Sequence, residues 1–285
     1  MSAWPARMLL TNSEGLYLVE HGRRAVVLEQ ERRAYYGISW HGDRLYVGCE
    51  CGQGDTSTIL VLDPRLQVVT YFSVPAKHAH QILWHRGSLL VTSTETNEIL
   101  AVDLETGDSR PVFHTKGKVV EGIGEDHVNS LWADPAGRLH VVEHRQSAKF
   151  DRPSRFRVLD EHFSIEFEVG LGLAAHNVYV EDGIWYACDS LAGDLMRIDF
   201  AQQRLRRKAL GAFTRGLARP ASGGFVVGLS DPGPREGRAL GQTRLARLDA
   251  DLNVVDEVQL PIFGGVHEVR VLGEVDLAHS LEAFD

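Results

Sequence analysis

The stretch Ile59-Leu-Val-Leu-Asp63 decides the fold, because close copies of it recur along the whole chain. Each copy is a short apolar strand that ends in an acid, and such an acid can begin a turn by accepting hydrogen bonds from nearby backbone N–H groups. The spacing of roughly 40 to 50 residues is the period expected of β-propeller blades. The other copies are Ile99-Leu-Ala-Val-Asp103, Phe156-Arg-Val-Leu-Asp160, Leu195-Met-Arg-Ile-Asp199, Leu245-Ala-Arg-Leu-Asp249 and, with Glu at the end, Leu16-Tyr-Leu-Val-Glu20.

The strands around each copy complete a blade of four. Two alternating strands precede it, as in residues 36–40 and 44–48, and one follows it, as in residues 67–72. Five complete blades fit between about Tyr36 and Leu260, which leaves three strands before them and one after them, residues 267–272. A β-sandwich does not explain why three strands are left at one end and one at the other. A sixth blade built from both ends explains it, and such a blade also removes the exposed edges of an open ring.

We therefore predict an all-β fold, a six-bladed β-propeller with four antiparallel strands per blade. One C-terminal strand and three N-terminal strands close the last blade, and residues 1–285 form a single domain. No stretch has a helical apolar period of useful length.

Composition excludes several classes of protein. The net charge of −9 argues against a nucleic-acid partner, and the short apolar runs argue against a membrane span. The N-terminus lacks the pattern of a secretory signal. Three cysteines, Cys49, Cys51 and Cys188, are too few for a disulfide framework, so we expect a reducing, cytoplasmic location. Cys49 and Cys51 are more simply interpreted as structural thiols than as ligands of a soft metal.

The innermost strands of all blades begin on one face of a propeller, which allows the residues at one mouth of the central channel to be listed. Histidine followed by a polar residue occurs there in alternate blades, at His80-Gln81, His176-Asn177 and His267-Glu268. Alternate blades of six are roughly 120° apart, so the three imidazoles would surround the axis.

Such a triangle suits a divalent metal ion. Three imidazoles with open coordination positions fit Zn, Fe, Mn, Ni or Cu. Alternatively, oxygen ligands from Gln81, Asn129, Asn177 and Glu268 would suit Ca or Mn. The alternative without a metal is that these histidines bond to neighbouring backbone and hold adjacent blades in register.

Further polar residues are expected at the same mouth. His127, Glu143 and His144 are candidates for proton transfer, and His78 lies near them in the predicted arrangement. Arg215 is suited to hold a carboxylate or phosphate. The remaining candidates for substrate contact are Tyr36, Glu50, Asp189 and, in a long loop over residues 230–241, Arg235.

Asn177-Val-Tyr-Val-Glu-Asp-Gly-Ile-Trp-Tyr-Ala-Cys-Asp189 resembles the inner repeat of the gluconolactonase/regucalcin/strictosidine-synthase superfamily of six-bladed propellers. In the lactonases of that superfamily, Asn or Asp at the positions of Asn129 and Asn177, with a Glu, binds a divalent ion; Glu268 matches that Glu, and the neighbouring histidines depart from the pattern. A second resemblance is to a bacterial family of propellers of unassigned function. It is based on Phe213-Thr-Arg-Gly-Leu217, Phe225-Val-Val-Gly-Leu-Ser230 and Gly264-Gly-Val-His-Glu-Val-Arg-Val-Leu272.

Two hypotheses follow for function. The first is a metal-dependent hydrolase, isomerase or lyase that acts on a small polar or anionic substrate at the channel mouth, for example on a lactone or ester. The second is a non-catalytic propeller that binds a ligand or a protein. The sequence does not predict the oligomeric state.

Overall fold

The computed structural model describes residues 3–50, 55–120, 123–145, 152–233, 235–279 and 282–284, with the backbone only at 120, 123, 235 and 236. Six four-stranded antiparallel sheets contain most of these residues. The first sheet has the order β26 (Val266–Leu272), β1 (Arg7–Asn12), β2 (Leu16–Glu20) and β3 (Arg24–Glu29).

The next three sheets follow the chain without crossing. The second contains β4 (Arg33–His41), β5 (Arg44–Glu50), β6 (Ser57–Leu62) and β7 (Val68–Val74). The third contains β8 (Ile82–His85), β9 (Ser88–Ser93), β10 (Glu98–Val102) and β11 (Ser109–His114). After a hairpin of β12 (Val119–Val120) and β13 (Ile123–Gly124), the fourth contains β14 (Val128–Ala133), β15 (Leu139–Glu143), β16 (Arg155–Leu159) and β17 (Ile165–Gly170).

The last two sheets repeat the same order. The fifth contains β18 (Ala175–Glu181), β19 (Ile184–Asp189), β20 (Asp194–Asp199) and β21 (Arg204–Ala209). The sixth contains β22 (Phe213–Ala218), β23 (Phe225–Ser230), β24 (Gln242–Leu248) and β25 (Val254–Phe263), with the short helix α1 (Arg235–Leu240) between β23 and β24.

This strand order is that of a six-bladed β-propeller, so the predicted fold class and its closure are confirmed. β26 pairs antiparallel with β1, from Arg7 opposite Leu272 to Thr11 opposite Glu268. The C-terminal strand therefore completes a sheet whose other three strands are N-terminal.

The chain divides into two compact units of three sheets each. The first unit consists of residues 1–35 and 176–285 and holds the first, fifth and sixth sheets; the second unit consists of residues 36–175 and holds the other three. The assignment of residues 1–285 to a single domain stays a prediction.

Burial falls from the first to the fourth strand of a sheet. In the fourth sheet, β14, β15 and β16 are almost wholly buried, whereas most of β17 is exposed. Strands covered on both faces carry continuous apolar runs, and an outer strand need only be apolar where it faces its neighbours. In the second unit, apolar side chains of the second and third sheets pack together, among them Ile59, Val74, Ile82 and Val91.

The acids at the strand ends form turns, as the sequence predicts. Asp63 accepts the N–H groups of Arg65 and Gln67 at 3.0 Å each, and Asp160 accepts those of His162 and Ser164 at 2.8 Å each. Backbone hydrogen bonds of this kind hold the pKa of Asp160 below its usual range.

Three local features differ from the sequence predictions. β8 begins at Ile82, so His80 and Gln81 precede the strand instead of starting it. Helix α1 lies inside the predicted long loop, and the hairpin β12–β13 was not predicted. Among the described residues, no helix is both long enough and apolar enough to span a bilayer.

Candidate functional site

Five aromatic rings of the second unit lie in contact near the starts of β4, β8 and β14. The ring of His80 stacks on Tyr36, with centroids 4.8 Å apart and planes 17° apart. Its other neighbours meet it edge to face, His78 at 4.7 Å and His127 at 4.9 Å, and His144 contacts His127 at 4.9 Å. We call these five residues the histidine cluster; the structure brings together Tyr36, His80, His127 and His144, all predicted site residues.

A close backbone approach and two left-handed residues position the rings of the cluster. A Cβ atom on Gly37 would lie 2.5 Å from the backbone nitrogen of Ile82, so glycine allows β4 and the start of β8 to approach. His78 and His127 have φ values of 60° and 52°, in the left-handed region that few non-glycine residues adopt. The side chain of Asn97 accepts the N–H of His127 at 2.9 Å and helps to hold that conformation.

Tyr36, His78 and Glu50 form a hydrogen-bonded group at one end of the cluster. His78 Nε2 lies 2.7 Å from the Tyr36 hydroxyl and 2.6 Å from Glu50 Oε1, and the same hydroxyl donates to Glu50 Oε1 at 3.2 Å. Glu95 Oε1 lies 3.4 Å from His78 Nδ1. An imidazole between a phenol and two carboxylates can accept or donate a proton.

Two predicted amide ligands are buried beside the inner strands. Thr92 Oγ1 accepts the N–H of Gln81 at 2.9 Å, which fixes the backbone just before β8. The side-chain amide nitrogen of Gln81 is buried, and within the described part of the chain it has no hydrogen-bond partner. Asn129 donates to the carbonyl oxygen of Ala175 at 3.2 Å, so its amide ties β14 to the chain that leads into β18.

Glu143 is enclosed by two arginines. Its carboxylate lies 3.2 Å from Arg155 and 3.1 Å from Arg157, and its side chain is fully buried. Burial raises its pKa to about 7, although Arg157 opposes the shift. Its role in proton transfer stays a prediction.

His176 and His267 belong to the first unit, and each uses Nδ1 in a hydrogen bond. His267 Nδ1 lies 2.7 Å from the carbonyl oxygen of Tyr35, which can only accept. His176 Nδ1 lies 2.7 Å from the hydroxyl of Ser190, and that hydroxyl donates its own proton to the carbonyl of Thr214 at 2.5 Å. Both histidines therefore carry a proton on Nδ1, so Nε2 is the acceptor nitrogen of the neutral ring.

Asn177 and Glu268 form part of a buried polar chain in the same unit. Asn177, with φ of 53°, accepts the N–H of Gly216 at 2.8 Å and donates to Glu268 Oε1 at 3.3 Å. The same carboxylate oxygen lies 3.1 Å from the guanidinium of Arg270, and Glu268 and Arg270 are both at most 2% exposed. These contacts stabilise neighbouring strands, which is the structural alternative considered from the sequence.

Asp189 and Arg215 are buried near the inner strands of the first unit. Burial raises the pKa of the Cys188 thiol, and the charges of Glu268, Asp189 and Arg215 also act on that thiol. The structure thus brings Asp189, Arg215 and Glu268 into one neighbourhood. Asp189 also forms an ion pair with Arg207 on β21, at 2.5 Å.

The predicted metal site stays a prediction. In the described residues, no set of three or more His, Cys, Asp or Glu side chains is arranged to hold a metal ion. His80 lies in the second unit, and His176 and His267 lie in the first. Cys51 and the side chain of Arg235 lie outside the described part of the chain.

Solved structures of differing description share this fold. No protein-family model matches the chain, and no curated protein matches its sequence. A chain from a nidogen–laminin complex gives a TM-score of 0.69 at 10% identity, covering 94% of this chain and 99% of that one. A Bacteroides caccae protein of unknown function gives 0.64 at 14% identity, covering 93% and 98%, and a candidate gluconolactonase gives 0.62 at 12% identity, covering 84% and 82%.

These similarities establish the fold and are consistent with the resemblance to gluconolactonase-like propellers. Identities of 14% or lower carry no assignment of activity, since one fold hosts many functions. Enzyme function is compatible with this fold, and the choice of reaction depends on the site residues.

Several functional partners were not predicted from the sequence. Arg207 beside Asp189 and Arg270 beside Glu268 both contribute charges to the candidate sites. Arg270 lies two positions after Glu268 on the same strand and therefore shares its face. That spacing could have predicted the pair of Glu268 and Arg270. The contact between Arg207 and Asp189 depends instead on side chains that reach across a strand.

Proposed function

We propose that this protein is an enzyme that transfers protons to or from a small polar or anionic substrate, with the histidine cluster as its reactive centre. Hydrolysis of a lactone or ester, isomerisation and elimination all need such a transfer. The finer assignment to a metal-dependent hydrolase, isomerase or lyase is part of this proposal.

The hydrogen-bonded group of Tyr36, His78 and Glu50 is the observation that supports the proposal. His78 has a phenol and a carboxylate within 2.7 Å of Nε2 and a second carboxylate beside Nδ1, so both ring nitrogens face groups that can take part in proton transfer. His78 and His127 also occupy sparsely populated backbone conformations, which concentrate at functional sites. In the proposed reaction His78 moves the proton, Glu50 stabilises the imidazolium, and Tyr36 orients the ring.

A divalent ion is retained as a proposed cofactor. Histidines that ligate metals through Nε2 usually donate Nδ1–H to a carbonyl, a carboxylate or water. His267 fits this pattern through Tyr35, and His176 makes a comparable bond to the hydroxyl of Ser190. A bound ion would supply Lewis acidity; Arg215 is proposed to orient an anionic substrate.

Activity measurements on matched variants test the proton-transfer role. The full chain is assayed against a panel of lactones, aryl esters and hydroxy acids, together with H78Q, Y36F and the control H162Q, whose imidazole is 79% exposed. We expect H78Q to lower kcat/KM by about 100-fold or more, because general acid–base groups contribute on that scale, and H162Q to leave it unchanged. Turnover that is equal in the wild type and H78Q would refute the assignment of His78.

Metal analysis of the same preparations tests the cofactor. We expect about one transition-metal ion per chain, lost in a folded H176A/H267A variant. A protein that purifies without metal, binds none on addition and turns over no member of the panel would overturn the enzyme proposal.

That outcome would favour the second candidate, a non-catalytic binding propeller. The observation in its favour is that a chain of a nidogen–laminin complex shares the fold over 94% of this chain. A non-catalytic role also agrees with the structural hydrogen bonds made by Asn177, His176 and His267.

A further inference from the structure

The outer strand of the fifth sheet, β21, has an unusual charge. Its sequence is Arg-Leu-Arg-Arg-Lys-Ala, with four basic residues and no acid, in a chain of net charge −9. Most of the strand is exposed, as expected of the fourth strand of a blade. A concentration of positive charge on an acidic protein needs a physical reason.

The two faces of this strand differ. Side chains alternate along β21, so Arg204, Arg206 and Lys208 lie on one face and Arg207 on the other. Arg207 is neutralised by two carboxylates, at 2.5 Å from Asp189 and 3.2 Å from Asp194. On the face of β21 that carries Arg207, the positive charge is balanced by contacts within the protein.

The opposite face lacks this compensation. Arg206 pairs in register with Arg197 of β20, which places two like charges directly across the sheet, an unfavourable arrangement. Arg204 is opposite Asp199. Even so, within the described part of the chain no carboxylate oxygen lies within 4.0 Å of the guanidinium nitrogens of Arg197, Arg204 or Arg206.

These three arginines line a surface cavity of about 700 Å³, which we call the arginine pocket. Gln202 and Gln203 also line it and add amide donors, and Asp199 lies at its wall. Asp199 Oδ1 already accepts the N–H of Gln202 at 2.9 Å. Pockets that hold small molecules usually have volumes of roughly 300–1,000 Å³.

The simplest alternative explanation of the basic residues on β21 is protection of an exposed sheet edge, since charged side chains prevent edge-to-edge pairing. In this protein, however, β7 is also an outer strand, with the sequence Val-Val-Thr-Tyr-Phe-Ser-Val and no charge. An outer strand of this fold therefore does not require charge. Edge protection also gives no reason for a concave set of three arginines with a single carboxylate, Asp199, at its wall.

We propose that the arginine pocket binds a small oxyanion with at least two negative charges, bearing phosphate or carboxylate groups. Guanidinium groups form paired, charge-assisted hydrogen bonds with both kinds of group. An anion held by Arg197, Arg204 and Arg206 would relieve the repulsion across the two strands. This site is independent of the reaction proposed above.

Calorimetric titration at low ionic strength tests the site. Tripolyphosphate and citrate serve as separate probes, which distinguish a phosphate ligand from a carboxylate ligand. We expect one of them to bind with a stoichiometry near one, and binding to R204Q/R206Q to weaken about tenfold or more, because hydrogen bonds between charged groups are lost.

R65Q/R110Q is the matched control, because it removes two exposed arginines from other sheets and changes the net charge equally. Its affinity should equal that of the wild type, and no variant should have a lower melting temperature than the wild type. Failure of both probes to bind, equal binding to R204Q/R206Q, or an equal loss in the control would overturn the proposal.

Discussion

Equivalent strand-start positions are used differently in the two units. In the first unit, His267 and His176 bond through Nδ1 to a backbone carbonyl and a serine hydroxyl, and Asn177 joins Gly216 to Glu268. In the second unit, Tyr36 and His80 stack on each other, and three further histidine rings continue the contact.

The difference separates two roles of the same repeat. Hydrogen bonds to backbone satisfy buried polar groups and hold strands together, so their loss should mainly lower stability. The rings that contact one another beside Glu50 and Glu95 are instead the proposed site of proton transfer. Variants in the two units should therefore separate stability from activity.

The largest effect is expected from E268A in the first unit. Glu268 and Arg270 are buried, and removal of the carboxylate leaves an uncompensated guanidinium. We expect the free energy of unfolding, measured with urea, to fall by about 3–5 kcal/mol.

The double variant E268L/R270M is the control for this prediction. It removes both charges and should cost less than E268A, because the guanidinium that E268A leaves without its carboxylate partner is removed as well. A double variant as unstable as the single one, or more so, would show that the ion pair is not what E268A disrupts.

An intermediate effect is expected from His140, a histidine of the second unit outside the cluster. It is 2% exposed, and burial lowers its pKa to about 4, although Asp134 at 3.4 Å opposes the shift. The unfolded chain, with an ordinary histidine pKa near 6.5, binds a proton that the folded chain does not. The contribution of His140 to stability should therefore be full above about pH 6.5 and be lost as the pH falls toward 4, by roughly 2–3 kcal/mol, whereas the raised pKa of Glu143 contributes with the opposite sign.

H140Q should remove this contribution, because glutamine does not titrate, so its unfolding free energy in urea should rise less, or fall more, with pH between about 4 and 7 than that of the wild type. H162Q, which changes an exposed histidine, should keep the wild-type slope. An unchanged slope in H140Q would assign the pH dependence to other groups.

The smallest effect on stability is expected from Y36F in the cluster. Phenylalanine keeps the stacking on His80 and removes only the hydroxyl that contacts His78 and Glu50. We expect a loss of about 1 kcal/mol or less in unfolding free energy, much smaller than for E268A. A cost comparable to that of E268A would mean that the cluster is a structural core like its counterpart in the first unit.

The fold could be predicted because its signals are local. Alternating strands such as residues 59–62, and acids such as Asp63 that accept neighbouring N–H groups, depend on a few consecutive residues. The closure of the first sheet followed from counting strands. The start of β8 was missed by two residues, since Gln81 is held by Thr92 and does not pair as part of the strand.

The site could be predicted only as a set of positions. The sequence indicated that Tyr36, His80 and His127 start or precede inner strands, but ring contacts depend on rotamers and on the left-handed backbone at His78 and His127. Partners on other strands, such as Arg207 for Asp189 and Arg155 for Glu143, depend on side chains that reach across the sheet.

The pairing of β1 with β26 has a consequence for biosynthesis. Because the ribosome makes β1 before the five other sheets and β26 after them, one edge of the first sheet has no partner strand while those sheets are synthesised. The pairing joins segments of very large sequence separation, which is a slow kind of step. A nascent chain is thus most exposed to aggregation before β26 emerges, and chaperone dependence should be concentrated in that interval.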